Sequence, residues 1–161
     1  MTPIQTTSSA KKLSQSLTDS KITLVGGCFD ILHIGHIQFL EKAKKLGDVL
    51  VVLLESDSRV TELKGEGRPV NSQPDRATLL SALKAVDYVI LLPEMKSEDY
   101  DKLVLDLKPK FIAVTAGDRG ISFKQRSANL VGAKVVSVVG TIPDKSTSKV
   151  LQVILKRSAG K

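Results

Sequence analysis

His33 and His36, both of the chain's histidines, stand three residues apart with Gly35 between them, inside "GGCFDILHIGH" at 26–36. Imidazoles at i and i+3 in the first turn of a helix point toward one spot, where each can hydrogen-bond an anionic oxygen. Gly26 and Gly27 permit a tight turn with exposed backbone N–H groups. A helix beginning near His33–Gly35 contributes further N–H groups and a positive end, a combination that favours phosphate oxygens. Gly35 removes a side chain where such a ligand must approach. The stretch therefore reads as a cradle for a polyphosphate. Two other roles suit the same residues. Paired histidines are half of a zinc site, yet catalytic zinc usually has three protein ligands and no third histidine or cysteine pair exists. They could equally cap or pack a helix start. Neither the dinucleotide-binding fingerprint nor the Walker A glycine spacing is present.

The surrounding pattern predicts how this loop is held. "KITLVGG" (21–27) reads as a buried strand, followed by a helix over 35–46 with Ile37, Leu40, Ala43 and Leu46 at helical spacing, closed by Gly47. "DVLVVLLE" (48–55) is a strand apolar on both faces, as a parallel sheet covered by helices requires. A short helix at 57–63 leads to the loop "KGEGRPVN" (64–71). Ser72 and Pro74 suit the start of the next helix, whose inner face is Leu79, Leu80, Leu83 and Val86. A third strand at 87–92, a helix marked by Tyr100, Leu103, Val104 and Leu107, and a fourth strand at 110–115 follow. A weaker strand at 133–139 precedes a last helix at about 146–156. Residues 1–20, rich in Ser, Thr, Gln and Lys, read as a flexible N-terminal tail, with a short helix possible around Lys11–Leu17. Alternating strands and helices imply a parallel sheet, and ligands bind such sheets at the carboxyl ends of the strands. The unusual stretches 26–36, 64–76, 116–120 and 144–149 all fall at such ends.

At 161 residues and 42% apolar content, the chain fits one domain with one core. The lone Cys28 excludes an intramolecular disulfide and suits a reducing compartment. The longest apolar run, "VLVVLL", is far short of a membrane span, and the N-terminus lacks a secretory core, so a cytoplasmic location without membrane partners is expected. The net charge of +7 attracts polyanions. Nucleic acid is not the expected partner, because no aromatic rings interleave with the basic residues near the two ends.

"GGCFDILHIGH" resembles the G-x-F-D-x-x-H-x-G-H signature of the cytidylyltransferase-like nucleotidyltransferases. "LKGEGRPVN" (63–71), "QPDRATLLSALKAVDYVI" (73–90) and "STSKV" (146–150) resemble that family's later motifs in order and spacing, so the likeness covers about 21–155. "LKGEGRPVN" in particular is similar to the adenylyltransferase branch that makes ADP-heptose from a heptose 1-phosphate. The resemblance implies a single-domain α/β fold over 21–157, a Rossmann-like, HUP-like parallel sheet sandwiched by helices. It also implies transfer of a nucleoside monophosphate from an NTP, preferably ATP, to a small phosphorylated acceptor with release of pyrophosphate.

The family roles fall on particular residues. His33 and His36 match histidines that contact the NTP phosphates and stabilise the transition state; Lys64 matches a phosphate-neutralising lysine and Arg76 an arginine of the second motif, completing the expected catalytic set. Gly27, Cys28, Phe29, Asp30, Gly35, Gly117 and Asp118 match nucleotide-site positions, with Asp30 expected to shape its loop. Ser146, Thr147 and Ser148 match the hydroxyl-rich start of the last helix, which binds the β- and γ-phosphates. Mg²⁺ would enter with the NTP rather than through protein side chains, and a homodimer is expected, as in relatives.

Taken singly, several of these residues have plainer readings. Lys64 and Arg76 could be solvated charges, and Ser146 or Thr147 an N-cap. Cys28 has no base partner and reads as small packing rather than a nucleophile. Lys124 and Arg126 read as surface charges. The chain departs from the heptose branch at "AGDRG" (116–120), where Gly-Gly-Asp-Tyr is usual, at Lys145, and in lacking the kinase domain often fused to that branch. The acceptor is therefore open: glycerol 3-phosphate with CTP, or FMN with ATP, uses the same chemistry. A nucleotide-binding module without turnover is the reading from a different class.

Overall fold

The computed structural model describes residues 2–140, 151–153 and 156. Its elements in chain order are β1 (Ile4–Thr6), α1 (Ala10–Ser16), β2 (Ile22–Gly27), α2 (Ile34–Lys44), β3 (Val49–Leu54) and α3 (Asp57–Lys64). They continue with α4 (Gln73–Ser81), β4 (Tyr88–Leu91), α5 (Ser97–Leu107), β5 (Phe111–Thr115), α6 (Ile121–Val131) and β6 (Lys134–Val139). The sheet runs β1-β4-β3-β2-β5-β6 with every neighbouring pair parallel. The chain builds outward from β2 through β3 to β4, then returns across the sheet to β5. The order therefore reverses between β2 and β5, the place where a doubly wound sheet opens a ligand crevice.

The pleat sends successive side chains to opposite faces. Leu24, Val51, Leu53 and Ile90 pack beneath α1, α5 and α6. Val25, Leu50, Val52, Leu54 and Val89 pack beneath α2 and α4. Helices thus cover both sides, and continuous apolar strands such as "VLVVLL" follow from that double cover.

Two expectations need correction. Residues 1–20 are not a loose tail: β1 adds a strand beside β4, pairing Ile4 with Val89 and Thr6 with Leu91, and α1 buries Ala10 and Leu13 against the core. Two or three apolar residues at the right spacing outweigh the polar composition once a sheet edge and a helix face are available. Secondly, 121–131 is a helix, α6, where no element was expected. Its fully buried residues are the small pair Ser127 and Ala128, with Phe123 and Val131 half-buried beside them, while Ile121 and Leu130 face out. Leu79 likewise lies on the outer side of α4, leaving Arg76, Ala77, Leu80 and Ser81 as its buried residues. The last expected helix, 146–156, lies mostly outside the described residues, with helical backbone at 151–153 and 156.

Candidate active site

The site begins where β2 ends. Gly27 sits under the Phe29 ring: a Cβ there would lie 2.9 Å from Phe29 Cε2, so only glycine leaves room. Phe29 itself takes a left-handed backbone with φ 45°, uncommon for a residue with a side chain and found where surrounding structure holds the chain in place. This turn drops the Phe29 ring into the core, where it leans against His36 with centroids 5.3 Å apart.

His33 is the N-cap of α2, and its Nδ1 accepts from Gly35 N–H at 3.1 Å. With Nδ1 an acceptor, the neutral ring carries its proton on Nε2. The capping role is therefore real, and it fixes the ring that the cradle reading requires. His36 stacks on His33 with ring centroids 3.8 Å apart and planes at 24°. Its Nδ1 is buried with no hydrogen-bond partner among the described residues. Burial, then His33 and Lys64, lower the His36 pKa to about 4; burial also lowers that of His33. Both rings are neutral at pH 7 and can offer N–H donors to an incoming anion without first losing a proton.

Lys64 closes α3 and is exposed, within electrostatic range of His36 and of Cys28. His33 and His36 thus lie together at the start of α2, and Lys64, at the end of α3, acts on His36 through its charge. Burial pushes the Cys28 thiol up despite Lys64, so it stays protonated at neutral pH, in keeping with a packing role.

Asp30 and Arg76 sit inside the structure rather than at its surface. Asp30 is 2% exposed. Its carboxylate accepts from Arg68 Nε at 2.5 Å and from the backbone N–H groups of Val70 and Asn71, which pins the 65–71 loop beside the histidines. Arg76, expected in the catalytic set, is fully buried and spent on internal partners. Its guanidinium donates to the carbonyls of Cys28, Asn71 and Glu55 and pairs with Asp57 at 2.6 Å. A guanidinium so engaged holds three loop segments in register, where a solvated charge or a phosphate contact was expected. Phe29 and Asp30 turn their side chains inward too, so any nucleotide contact from 27–30 falls to the backbone and to Cys28.

Beyond β5, Gly117 uses φ 74° to turn the chain. Asp118 then accepts from Gly120 N–H at 2.7 Å and from Lys124 Nζ at 2.6 Å. Lys124 is thus an ion-pair partner at the crevice rather than a free surface charge. Arg126 pairs with Asp101 and lies 5.0 Å from the Phe123 ring centroid. Ser146, Thr147 and Ser148 lie outside the described residues. Among the described residues no group of three or more His, Cys, Asp or Glu converges as a cation site.

Sequence reasoning passed over Arg68, Gln73, Glu55 and Tyr100. Gln73 Nε2 bridges the Leu54 and Leu92 carbonyls at the ends of β3 and β4. Glu55 is the first residue beyond β3; its N–H donates to the Gly27 carbonyl, and its Oε2 accepts from the Tyr100 hydroxyl at 2.6 Å. A carboxylate directly after a wholly apolar strand, at the carboxyl end where ligands bind, was the available signal.

Comparison with known proteins agrees with this geometry. The cytidylyltransferase-like family matches residues 24–156. The bifunctional protein HldE of Campylobacter jejuni subsp. doylei is 45% identical over 139 residues, 84% of this chain and 28% of that protein. The bifunctional protein HldE of Nitratiruptor sp. is 43% identical over 135 residues, 82% of this chain and 27% of that protein. The chain thus spans little more than a quarter of these relatives. A lipopolysaccharide core biosynthesis protein from Thermoplasma volcanium has a similar structure, with TM-score 0.61 and 33% identity, covering 76% of this chain and 97% of that one. The pantoate-beta-alanine ligase of Francisella tularensis shares the fold at TM-score 0.67 and 16% identity, over 94% of this chain and 73% of that one. No helix among the described residues is long and apolar enough to cross a membrane. With the histidine pair, the switch-point crevice and the match over 24–156 in agreement, this chain belongs to the cytidylyltransferase-like family of nucleotidyltransferases.

Proposed function

We propose that the chain transfers AMP from ATP to a sugar 1-phosphate of the heptose type, giving an ADP-sugar and pyrophosphate. The observation that carries this reading is the stacked pair of neutral imidazoles at the start of α2, within electrostatic range of Lys64, at the point where the strand order reverses. The sugar acceptor is supported by the "LKGEGRPVN" loop, which the Asp30–Arg68 pair holds at this site, and by the likeness to bifunctional HldE proteins and to a lipopolysaccharide core biosynthesis protein.

In this reading an oxygen of the acceptor phosphate attacks the α-phosphorus in line. One P–O bond forms, the bond to the β-phosphate breaks, and pyrophosphate leaves. His33 and His36 donate to phosphate oxygens as charge builds, Lys64 neutralises the acceptor or leaving phosphate, and the α2 N–H groups add fixed dipoles. Positioning and charge stabilisation therefore do most of the work. Mg²⁺, when bound, neutralises and orients the phosphates; a hard cation of this kind takes phosphate and water oxygens readily and needs few protein ligands. Action in the cytoplasm as a homodimer belongs to the same proposal.

The test is pyrophosphate release with ATP, CTP, GTP and UTP crossed with heptose 1-phosphate, glycerol 3-phosphate and FMN. ATP with heptose 1-phosphate is expected to turn over. His36→Ala is expected to lower its kcat/KM by about 100-fold or more, roughly 2.7 kcal/mol of barrier. Turnover with another pair alone reassigns the substrate. Nucleotide binding without turnover in any pair favours a binding module.

A further inference from the structure

We propose that Glu55, oriented by Tyr100, recognises the hydroxyl groups of the acceptor and so selects which phosphorylated alcohol is used. This rests on the nucleotidyl-transfer reading above and adds the element of the site that the mechanism leaves unused.

Glu55 is half-buried at the carboxyl end of β3, next to β2, where its N–H meets the Gly27 carbonyl. Cys28 lies within electrostatic range of both Lys64 and Glu55, so the phosphate-neutralising cation and this carboxylate flank the same loop residue. The Arg76 guanidinium donates to the carbonyls of both Cys28 and Glu55, so these two strand ends adjoin and a ligand held at the histidines has Glu55 within its reach. The carboxylate is not placed to hold phosphate, because like charge and burial both oppose it there. Arg59, Lys124 and Arg76 are close enough to offset that charge in part, while burial still raises its pKa.

A carboxylate accepts up to four hydrogen bonds and donates none, which suits adjacent hydroxyls of a sugar or polyol. Among the described residues Tyr100 is its one side-chain donor, through Oε2, leaving Oε1 for a ligand. Tyr100 is in turn braced edge-on by Phe123, with centroids 5.5 Å apart at 87°. The carboxylate is thus held from α5, itself braced by α6, with Oε1 taking no hydrogen bond among the described residues.

The experiment is steady-state pyrophosphate release by the full chain, varying ATP and acceptor separately, for wild type, Glu55→Gln and Tyr100→Phe, with melting curves alongside. Gln retains an acceptor for the Tyr100 hydroxyl, so the fold is kept. The expected result is an acceptor KM raised about tenfold or more in Glu55→Gln, with ATP KM within about twofold. Tyr100→Phe should move the acceptor KM in the same direction by less. An acceptor lacking one hydroxyl should be a poorer substrate for wild type and no poorer for Glu55→Gln. Equal changes in both KM values, or a change in melting temperature alone, would make Glu55 a tether for α5 and overturn the inference. Turnover with an unchanged acceptor KM overturns it too, leaving the transfer reading intact. No turnover by wild type with any acceptor overturns both.

Discussion

Arg76 Nη1 donates to the backbone carbonyl of Cys28 at 2.5 Å, joining residues 48 positions apart in the chain. Through this bond α4 holds the turn from which α2 and its histidines are launched. The same guanidinium fixes Asn71, at the end of the 65–71 loop, and Glu55, at the end of β3. Three segments at the carboxyl end of the sheet are therefore registered by a single buried cation, whose charge is balanced by Asp57.

Arg76→Ala leaves three carbonyls and a carboxylate without their donor. Equilibrium unfolding in urea should show a loss of about 3–5 kcal/mol. Arg76→Lys should recover only part of it, because one ammonium cannot span the planar fork. A loss below about 1 kcal/mol in the Ala variant would contradict the clamp.

Stability should fall with acid through His36. Its pKa is lowered from 6.5 to about 4, so the unfolded chain takes up a proton before the folded one does. The folded state keeps its full advantage above about pH 6.5 and loses it progressively toward pH 4, by an amount on the order of 1–3 kcal/mol. Denaturation midpoints at pH 7.5 and 4.5 measure this. His36→Gln should show a shallower slope, and an unaltered slope would remove His36 as its source.

Triphosphate binding should reverse that shift. Anionic oxygens against the ring favour the imidazolium, so ATP binding near pH 6 should take up protons, up to about one per site. Titration calorimetry in two buffers of different ionisation enthalpy reads the number directly. Zero uptake would place the phosphates away from His36.

Leu13→Ala should lower stability by about 2–3 kcal/mol, as for a buried leucine in a core that collapses only partly. A mobile N-terminal segment would show no change.

The strands β2 to β5 and the helices between them were readable from the sequence, since their apolar runs and spacings belong to local stretches such as "VLVVLL" and Leu103–Val104–Leu107. The convergence of His33 and His36 at the end of β2 was readable for a similar reason: it follows from their types and their spacing just past a strand end. Arg76 was not, because whether a guanidinium meets solvent, phosphate or carbonyls depends on segments 21 to 48 residues away. The strand β1 eluded sequence reading because three residues form it only when β4 offers an edge. The helix α6 did so because its fully buried residues are the small Ser127 and Ala128, while the larger Ile121 and Leu130 face outward.

The position of β1 has a practical bearing on handling this protein. It covers the outer margin of β4, whose "YVIL" would otherwise present open N–H and C=O groups to any passing chain. Removing the first nine residues, or fusing a bulky tag that pulls them away, would leave a templating surface at the flank of a parallel sheet. Expression trials that vary only this leader should therefore separate monodisperse protein from aggregated material while the catalytic crevice stays the same.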